Sequence, residues 1–329
     1  MHNIKDQLDV IKISGVDAET FIQGQITNDI TLLSGEEKSI YAGYCSPKGR
    51  LLAFFFITRM DANYFLFCPP CISEAISKRL AMYVLRAKVE ILSSPEDVDY
   101  FLVDESNIKK LHNNFSSIPQ SKMQTVLSNN KSVSLTMLDG SKSHYFIFGY
   151  KKEILKLYDE IYSTEIKPCN WNEVHIDNII PNIFNETQDL YIPQSVNLDL
   201  IGAVNFKKGC YTGQEVVART HYLGKPKRRM YLGSVTLNKN PELGSDIKVG
   251  DEKVGSLVNF YKQENNIFKV YGNGIDKSRG KLEIFNRWGE KVFETSNVEE
   301  GWNGMIHNEV ALQGSYLYKA TFYDQQNKF

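Results

Sequence analysis

The sequence predicts an α+β fold of mixed sheet-and-helix lobes, followed by a small β-barrel and a β-rich tail. Three observations carry this expectation. Apolar runs of strand length with turn residues between them recur along the chain, as at 8–14, 50–59 and 64–67. Two stretches, 71–84 and 152–162, read as amphipathic helices. Aromatic residues make up 12% of the chain, with Tyr and Phe far ahead of Trp, and that richness favours strands.

A length of 329 residues suits two or three domains. The apolar content of 42% is ample for packed cores and excludes a disordered chain, a collagen or a coiled coil. Lys and Arg number 38 against 39 acidic residues, so any nucleic-acid contact has to use a local patch. The opening MHNIKDQLDVIKISG does not read as a signal peptide, and the longest apolar run, 51–58, is too short to span a bilayer, so no membrane contact is expected. Five cysteines form no framework of pairs, and a reduced, cytoplasmic setting is expected.

The elements follow in order. LDVIKIS at 8–14 alternates like a half-buried strand, and 18–27 can form a short helix after Gly15. Strands are expected at 41–46 and 50–59 across the turn Pro47-Lys48-Gly49, with a partner at 64–67. The helix at 71–84 sets Ile72, Ala75, Ile76, Leu80 and Val84 roughly on one face, and a strand at 88–92 follows. Residues 104–132 read as a polar connection with one helix. Strands at 132–137 and 144–148 precede the helix at 152–162, and 168–183 carries a second helical stretch. Residues 185–197 look irregular. From Arg229 onward short strands at 230–237, 254–261 and 267–271 give the pattern of a small β-domain.

The most unusual stretch is Asn205 to Arg219. Gly209 and Gly213 bracket Cys210-Tyr211-Thr212, two lysines precede it, and a helix-compatible GQEVVAR follows. The glycines allow tight backbone geometry, and a helix start favours anions. A thiol beside Lys207 and Lys208 and near a helix start is expected to be the more reactive for it; the plainer reading is a buried cysteine in a tight turn. The spacing excludes a Walker A loop.

Lys208 to Glu215, KGCYTGQE, resembles the signature of the YgfZ-type folate-binding proteins, relatives of the glycine-cleavage T-protein (aminomethyltransferase). Phe21 to Asp29, FIQGQITND, is similar to a second block of that family, and Tyr191-Ile192-Pro193-Gln194 with Asn197-Leu198 is similar to the stretch leading into the signature. The resemblance spans about residues 5 to 270. It implies a T-protein-like ring of mixed lobes that binds tetrahydrofolate or a derivative, and that supports iron–sulfur proteins and tRNA-modifying enzymes. By position it implies a folate cleft with Trp171 and Asp177, the indole offering a stacking face and the carboxylate accepting from the pterin N–H groups. Gln194 and Asn197 join them as cofactor-binding candidates, and Arg219 as an anchor for the loop or an anionic ligand. Lys208, Cys210 and Tyr211 would form the reactive or partner-contacting loop.

Two departures matter. A second tryptophan that some family members carry on the first strand aligns near Leu8, and the Asp that assists chemistry in the aminomethyltransferases aligns with Ala53. Without that carboxylate the folate nitrogen has no general acid–base partner.

Lesser signals have plainer readings. Cys68-Pro69-Pro70-Cys71 has CxxC spacing but no second ligand pair, and no HxxxH or HExxH occurs, so no metal site is expected. Lys225, Lys227, Arg228 and Arg229 form a basic run that reads as a solvated strand entry or as a weak RNA contact.

Beyond about Asp276 the chain resembles instead the gliding-motility-associated C-terminal domain of type IX secretion cargo. Ile284-Phe285-Asn286-Arg287-Trp288-Gly289, Trp302-Asn303-Gly304 and Gly314-Ser315-Tyr316-Leu317-Tyr318 carry that likeness. Two strands around a turn at Trp288-Gly289 and a third from 315 to 323 are expected, with Trp288 and Trp302 in the core between them. The tail is read as a β-appendage and not a working sorting signal.

The expected domains are therefore 1–228, a two-lobed folate-binding unit; 229–275, a partial barrel; and 276–329, the tail. The expected function is a folate-binding accessory protein for iron–sulfur assembly and tRNA modification. A folate-dependent one-carbon transferase using Cys210, and a secreted cargo or adhesion protein defined by the tail, are the alternatives.

Overall fold

The computed structural model describes residues 4–35, 38–138, 144–161, 169–224, 226, 228–233, 241–249, 252–261, 281–285 and 290–296, and in the tail 302, 305–306, 309–310 and 317–321. The chain divides into two compact units: residues 1–230 with 243–260, and residues 231–242 with 261–329.

The first unit opens with β1 (Asp9–Ser14), α1 (Ala18–Gln23), β2 (Ile40–Cys45), β3 (Leu51–Met60), β4 (Asn63–Cys68), α2 (Pro70–Ala81) and β5 (Glu90–Ser93). The strands form an antiparallel sheet in the order β2-β3-β4-β1-β5. Helix α1 stops short of the expected Thr27 because tertiary pairing takes over: Ile26 bridges to Tyr44, and the Thr27 N–H donates to the Gly43 carbonyl at 2.9 Å. Helix α2 starts on Pro70, where a missing N–H costs nothing, and buries Ile72, Ile76 and Leu80.

A second antiparallel sheet follows from β6 (Val98–Asp104), α3 (Glu105–Ile108), β7 (Thr125–Leu127), β8 (Val133–Met137), β9 (His144–Tyr150) and α4 (Lys151–Ile161), in the strand order β6-β9-β8-β7. Sequence reading leaves β6 out, and burial explains why. Val98, Tyr100 and Leu102 face one core while Phe101 and Val103 face another, so no polar alternation marks the strand.

These elements stack in four layers. Helices α1 and α2 cover the outer face of the first sheet through Ile13, Phe55, Ile57, Leu66, Ile72 and Ile76. Helices α3 and α4 cover the outer face of the second through Phe101, Ile147, Ile108 and Ile154. Between the sheets lies an aromatic core. Phe56 and Phe67 each meet Phe146 with ring centroids 5.0 Å apart, and Phe65 meets Phe148 at 4.6 Å. Buried hydroxyls tie the sheets together as well, Ser39 Oγ standing 2.9 Å from Thr125 Oγ1 and 3.1 Å from Thr136 Oγ1.

After the second sheet come α5 (Trp171–Asp177), two 3-10 turns (Asn185–Thr187 and Pro193–Val196), α6 (Gln214–Tyr222) and the hairpin β10 (Asp246–Val249) with β11 (Glu252–Ser256). Helix α5 is shorter than the helical stretch expected at 168–183. Asn178 Nδ2 donates to the Val174 carbonyl at 2.7 Å, closing the last turn, and Ile179 follows at φ +54°.

In the second unit β12 (Lys281–Phe285), β13 (Lys291–Thr295), β14 (Met305–Ile306), β15 (Glu309–Val310) and β16 (Leu317–Thr321) are described. Three of them pair in the order β13-β12-β16, the arrangement expected of the tail, and Trp302 is buried there with Phe293 at 6.5 Å. The expected turn at Trp288-Gly289 and the expected strand at 267–271 lie outside the described residues. No helix among the described residues is long and apolar enough to cross a membrane.

Candidate functional site

The signature segment is seated on the first sheet by two glycines. Gly213 caps the start of α6 at φ +83°, and a Cβ there would stand 2.4 Å from the Ser46 carbonyl oxygen and 2.8 Å from the Gly49 Cα. Gly49, at φ +69° in the β2–β3 turn, would itself press a Cβ to within 2.7 Å of Val216 Cβ. Both positions require a left-handed backbone and a bare α-carbon, which only glycine supplies without strain. The same hairpin is gripped from the other side. Leu51 N–H donates to the Tyr191 carbonyl at 2.8 Å, Asp189 N–H to the Leu51 carbonyl at 2.8 Å, and Ser46 Oγ to Asp189 Oδ1 at 2.7 Å.

Lys208 runs from the signature into the first family-like block. Its Nζ donates to the carbonyls of Gln23, Ile26 and Asn28 at 2.7, 2.7 and 2.8 Å, and lies 5.2 Å from the Tyr211 ring centroid. Burial pushes its pKa down to about 8, with the Asp29 charge acting in the opposite sense. Neighbouring bonds complete the seam. Thr27 Oγ1 donates to the Ala203 carbonyl at 2.6 Å and accepts from Gly43 N–H at 2.8 Å. Asn28 Nδ2 donates to the Tyr41 and Gly202 carbonyls at 2.8 and 2.9 Å. All three ammonium protons have acceptors, so Lys208 fixes backbone; its charge is directed at carbonyls.

Of the loop residues, Tyr211 is buried, which pushes its phenol up, while Cys210 is exposed. The plainer expectation of a buried cysteine is thereby corrected.

The candidates for the cleft divide between interior and surface. Trp171 is 1% exposed, with Phe56, Phe146 and His175 at 6.0, 5.6 and 4.0 Å between ring centroids. Its indole therefore belongs to the aromatic core and presents no open stacking face. Asp177 is exposed at the end of α5, and Arg219 is exposed on α6 beside Glu215, Thr220 and Leu223. Gln194 and Asn197 are buried near α6: Gln194 Nε2 donates to the Val217 carbonyl at 2.7 Å, and Asn197 Nδ2 to the Met230 carbonyl at 2.7 Å. Trp171, Val196, Leu198 and Val217 share one core, so the segments bearing Trp171, Gln194, Asn197 and the signature helix meet there. Cys210, Asp177 and Arg219 lie at the surface.

Four buried atoms in this region have no hydrogen-bond partner among the described residues: Trp171 Nε1, His175 Nε2, Gln194 Oε1 and Asn197 Oδ1. Sequence reasoning missed His175. Its one available signal was the four-residue spacing from Trp171, which puts both on the same helical face. The carriers of the seam, Thr27 and Asn28, lay inside a quoted block, but nothing in the sequence pairs them with Gly202 and Ala203.

The basic run needs one correction. Arg229 pairs with both oxygens of Asp199, at 2.5 and 2.9 Å, and donates to the Gln194 carbonyl at 2.9 Å, so its planar fork is engaged within the fold and is not open to RNA. Arg228 is exposed; Lys225 and Lys227 lie outside the described residues. Of the CxxC pair, Cys68 is buried, which pushes its thiol well up, and Cys71 is exposed; both are free. No cluster of metal-ligating side chains occurs among the described residues.

The family described as the CHU_C type IX secretion signal domain matches residues 259–329. A tRNA-modifying protein YgfZ of Aliivibrio fischeri (strain ATCC 700601 / ES114) is 31% identical over 262 residues, 78% of this chain and 79% of the relative. That of Buchnera aphidicola subsp. Schizaphis graminum is 31% identical over 295 residues, 88% of this chain and 90% of the relative. Among solved structures, the glycine cleavage system aminomethyltransferase T of Bartonella henselae superposes with a TM-score of 0.54 at 11% identity, covering 89% of this chain and 72% of that one. The fold is thus the T-protein-like α+β architecture, and with the signature loop seated on the first block by Lys208, the chain belongs to the YgfZ family.

Proposed function

We propose that the chain is a folate-binding accessory protein in tRNA modification, taking tetrahydrofolate or a derivative and acting alongside iron–sulfur proteins or tRNA-modifying enzymes in the cytoplasm. The observation that carries the reading is the set of unmatched buried atoms: acceptors on Gln194 and Asn197 and a donor on Trp171. A pterin edge is rich in N–H groups and carries a carbonyl oxygen, and such a ligand satisfies groups that are otherwise costly to bury bare. In this reading the surface carboxylate of Asp177 and the Arg219 guanidinium lie toward the outer parts of the ligand, and Cys210, held out by Gly213 and the Lys208 staple, is the partner-facing or reactive group. Bound folate would supply a one-carbon carrier; this chain's own residues bind and orient it.

A one-carbon transferase is the less favoured reading. Ala53, where the resemblance places the assisting carboxylate of the aminomethyltransferases, is buried in β3 against the α1–α2 layer. Export through the tail is a second reading, favoured by the match at 259–329. In the folate reading the chain has three domains: 1–228, a folate-binding unit of two lobes; 229–275, a partial barrel; and 276–329, a β-rich tail. Titrating the full chain with tetrahydrofolate tests the reading: tryptophan emission should be quenched saturably in the wild type. Absence of any saturable response would overturn it, and recovery of the chain in culture medium would favour export.

A further inference from the structure

Helix α6 ends in an aromatic ledge at the protein surface. Phe206, half-buried, packs on the core that holds Trp171 and Val217. His221, in the last turn of α6, lies flat on Phe206, with ring centroids 3.6 Å apart and planes 11° from parallel. Tyr222 stands nearly perpendicular to both, 4.8 Å from the imidazole at 78° and 6.2 Å from Phe206 at 71°. His221 is exposed, Tyr222 is 65% exposed and Leu223 83%. Phe206 covers one face of the imidazole, so its exposed area lies on the other face, with the Tyr222 ring as a side wall. Contiguous exposed rings of this kind mark a contact site, where scattered single ones do not.

Charge narrows the partner. Between 205 and 229 the chain carries Lys207, Lys208, Arg219, Lys225, Lys227, Arg228 and Arg229 against the carboxylate of Glu215 alone, although its overall charge is −1. Lys208 is engaged by main-chain carbonyls and Arg229 by Asp199, whereas Lys207, Arg219 and Arg228 are exposed. Arg219 precedes Tyr222 and Leu223 by one turn and, with Val216 and Thr220, lines a groove of about 400 Å³ along the helix. The C-terminal end of a helix is the negative end of its dipole, which disfavours a phosphate on the ledge itself. A flat neutral ring on the ledge, with its anionic groups displaced to the flanking cations, satisfies both conditions. Nucleotides in a single strand have that layout; a duplex keeps its base faces covered.

We propose that His221 and Tyr222 form a stacking ledge for one unpaired base of single-stranded RNA, the base lying on the outward imidazole face and against the Tyr222 ring, with Lys207, Arg219 and Arg228 meeting the neighbouring phosphates. The inference goes beyond the folate reading and rests only on its tRNA-modification half: RNA touches this chain directly.

The test is fluorescence anisotropy of the full chain with a labelled single-stranded RNA oligonucleotide of mixed sequence, and with the same oligonucleotide annealed to its complement. The single strand should bind more tightly than the duplex. Tyr222→Ala should weaken its binding about tenfold, the worth of one stacked base, while Tyr222→Phe keeps the wild-type affinity. Lys207→Ala should make the slope of log affinity against log salt shallower by about 0.7, the share of one phosphate contact. Both positions are exposed, so thermal midpoints should hold; if Tyr222→Ala does not fold, His221→Ala reads the same stack. Equal affinity for duplex and single strand, or wild-type affinity in the alanine variant, overturns the proposal. A wild type that binds no RNA overturns it as well, and loss of a tRNA-modifying enzyme from complexes of Tyr222→Ala would then assign the ledge to a protein. Saturable tetrahydrofolate quenching is measured without RNA, so the folate reading stands or falls separately.

Discussion

Gly49 and Gly213 touch backbone to backbone: a Cβ on Gly213 would lie 2.8 Å from the Gly49 Cα, at a φ of +83°. Gly213→Ala therefore combines left-handed strain with overpacking against a turn, and a loss of about 3 kcal/mol is expected. Urea unfolding of the variant reads this directly. An unchanged midpoint would mean that the two turns do not rest on one another.

Lys208→Met keeps the aliphatic stem and removes three donors, leaving the Gln23, Ile26 and Asn28 carbonyls without their partner. A destabilisation of about 3 kcal/mol is expected, since each orphaned buried group carries its own desolvation cost. Chemical denaturation at neutral pH measures it, and a variant as stable as the wild type removes the staple from the account.

The same lysine sets a pH signature. Its folded pKa of about 8 lies below the ordinary 10.5, so between those values the unfolded chain binds more protons at this site. Stability then rises with pH across that window; below it both states carry the ammonium, above it both carry the amine. The difference between wild type and Lys208→Met should shift in favour of the wild type from pH 8 to 10.5, and a flat difference contradicts the shift.

Phe146 joins the two sheets through Phe56 and Phe67, and also packs on Tyr100 of its own sheet and on Trp171 of α5. Phe146→Ala should cost about 4 kcal/mol by leaving a cavity between rigid layers. A cost below about 1 kcal/mol would show that the layers close over the gap.

Cys210 is exposed, so Cys210→Ala should change stability by less than about 0.5 kcal/mol. It should nonetheless lose complementation of a strain defective in a related tRNA-modification function. Full rescue by this variant would strip the loop of its assigned role.

Much of the first unit was legible because its strands and helices carry strong local signals. The Ile72–Ile76–Leu80 spacing marks the buried face of α2, expected over 71–84 and found over Pro70–Ala81, and Gly49 marks the β2–β3 turn. The signature loop was legible as a motif. What the motif does was not, because Lys208 reaches carbonyls some 180 residues away in the chain, and main-chain acceptors leave no trace in residue identity. Trp171 was expected as an open platform; the three aromatic neighbours that cover it come from β3, β9 and α5 itself. His175 escaped notice because a lone histidine on an apolar face looks the same whether or not its second nitrogen is matched.

The β2–β3 ladder carries one further implication. Its register jumps between the Tyr44–Ala53 and Cys45–Leu51 pairs, leaving Leu52 outside the pairing with its carbonyl caught by Gln188 Nε2 at 2.7 Å. Strand β3 is apolar toward both layers, so sliding it by one position would exchange one greasy set for another with little solvation penalty. The irregularity at Leu52 acts as a ratchet pawl against that slide. A chain lacking it would be free to sample shifted alignments, and the bend that receives Gly213 would drift along the strand.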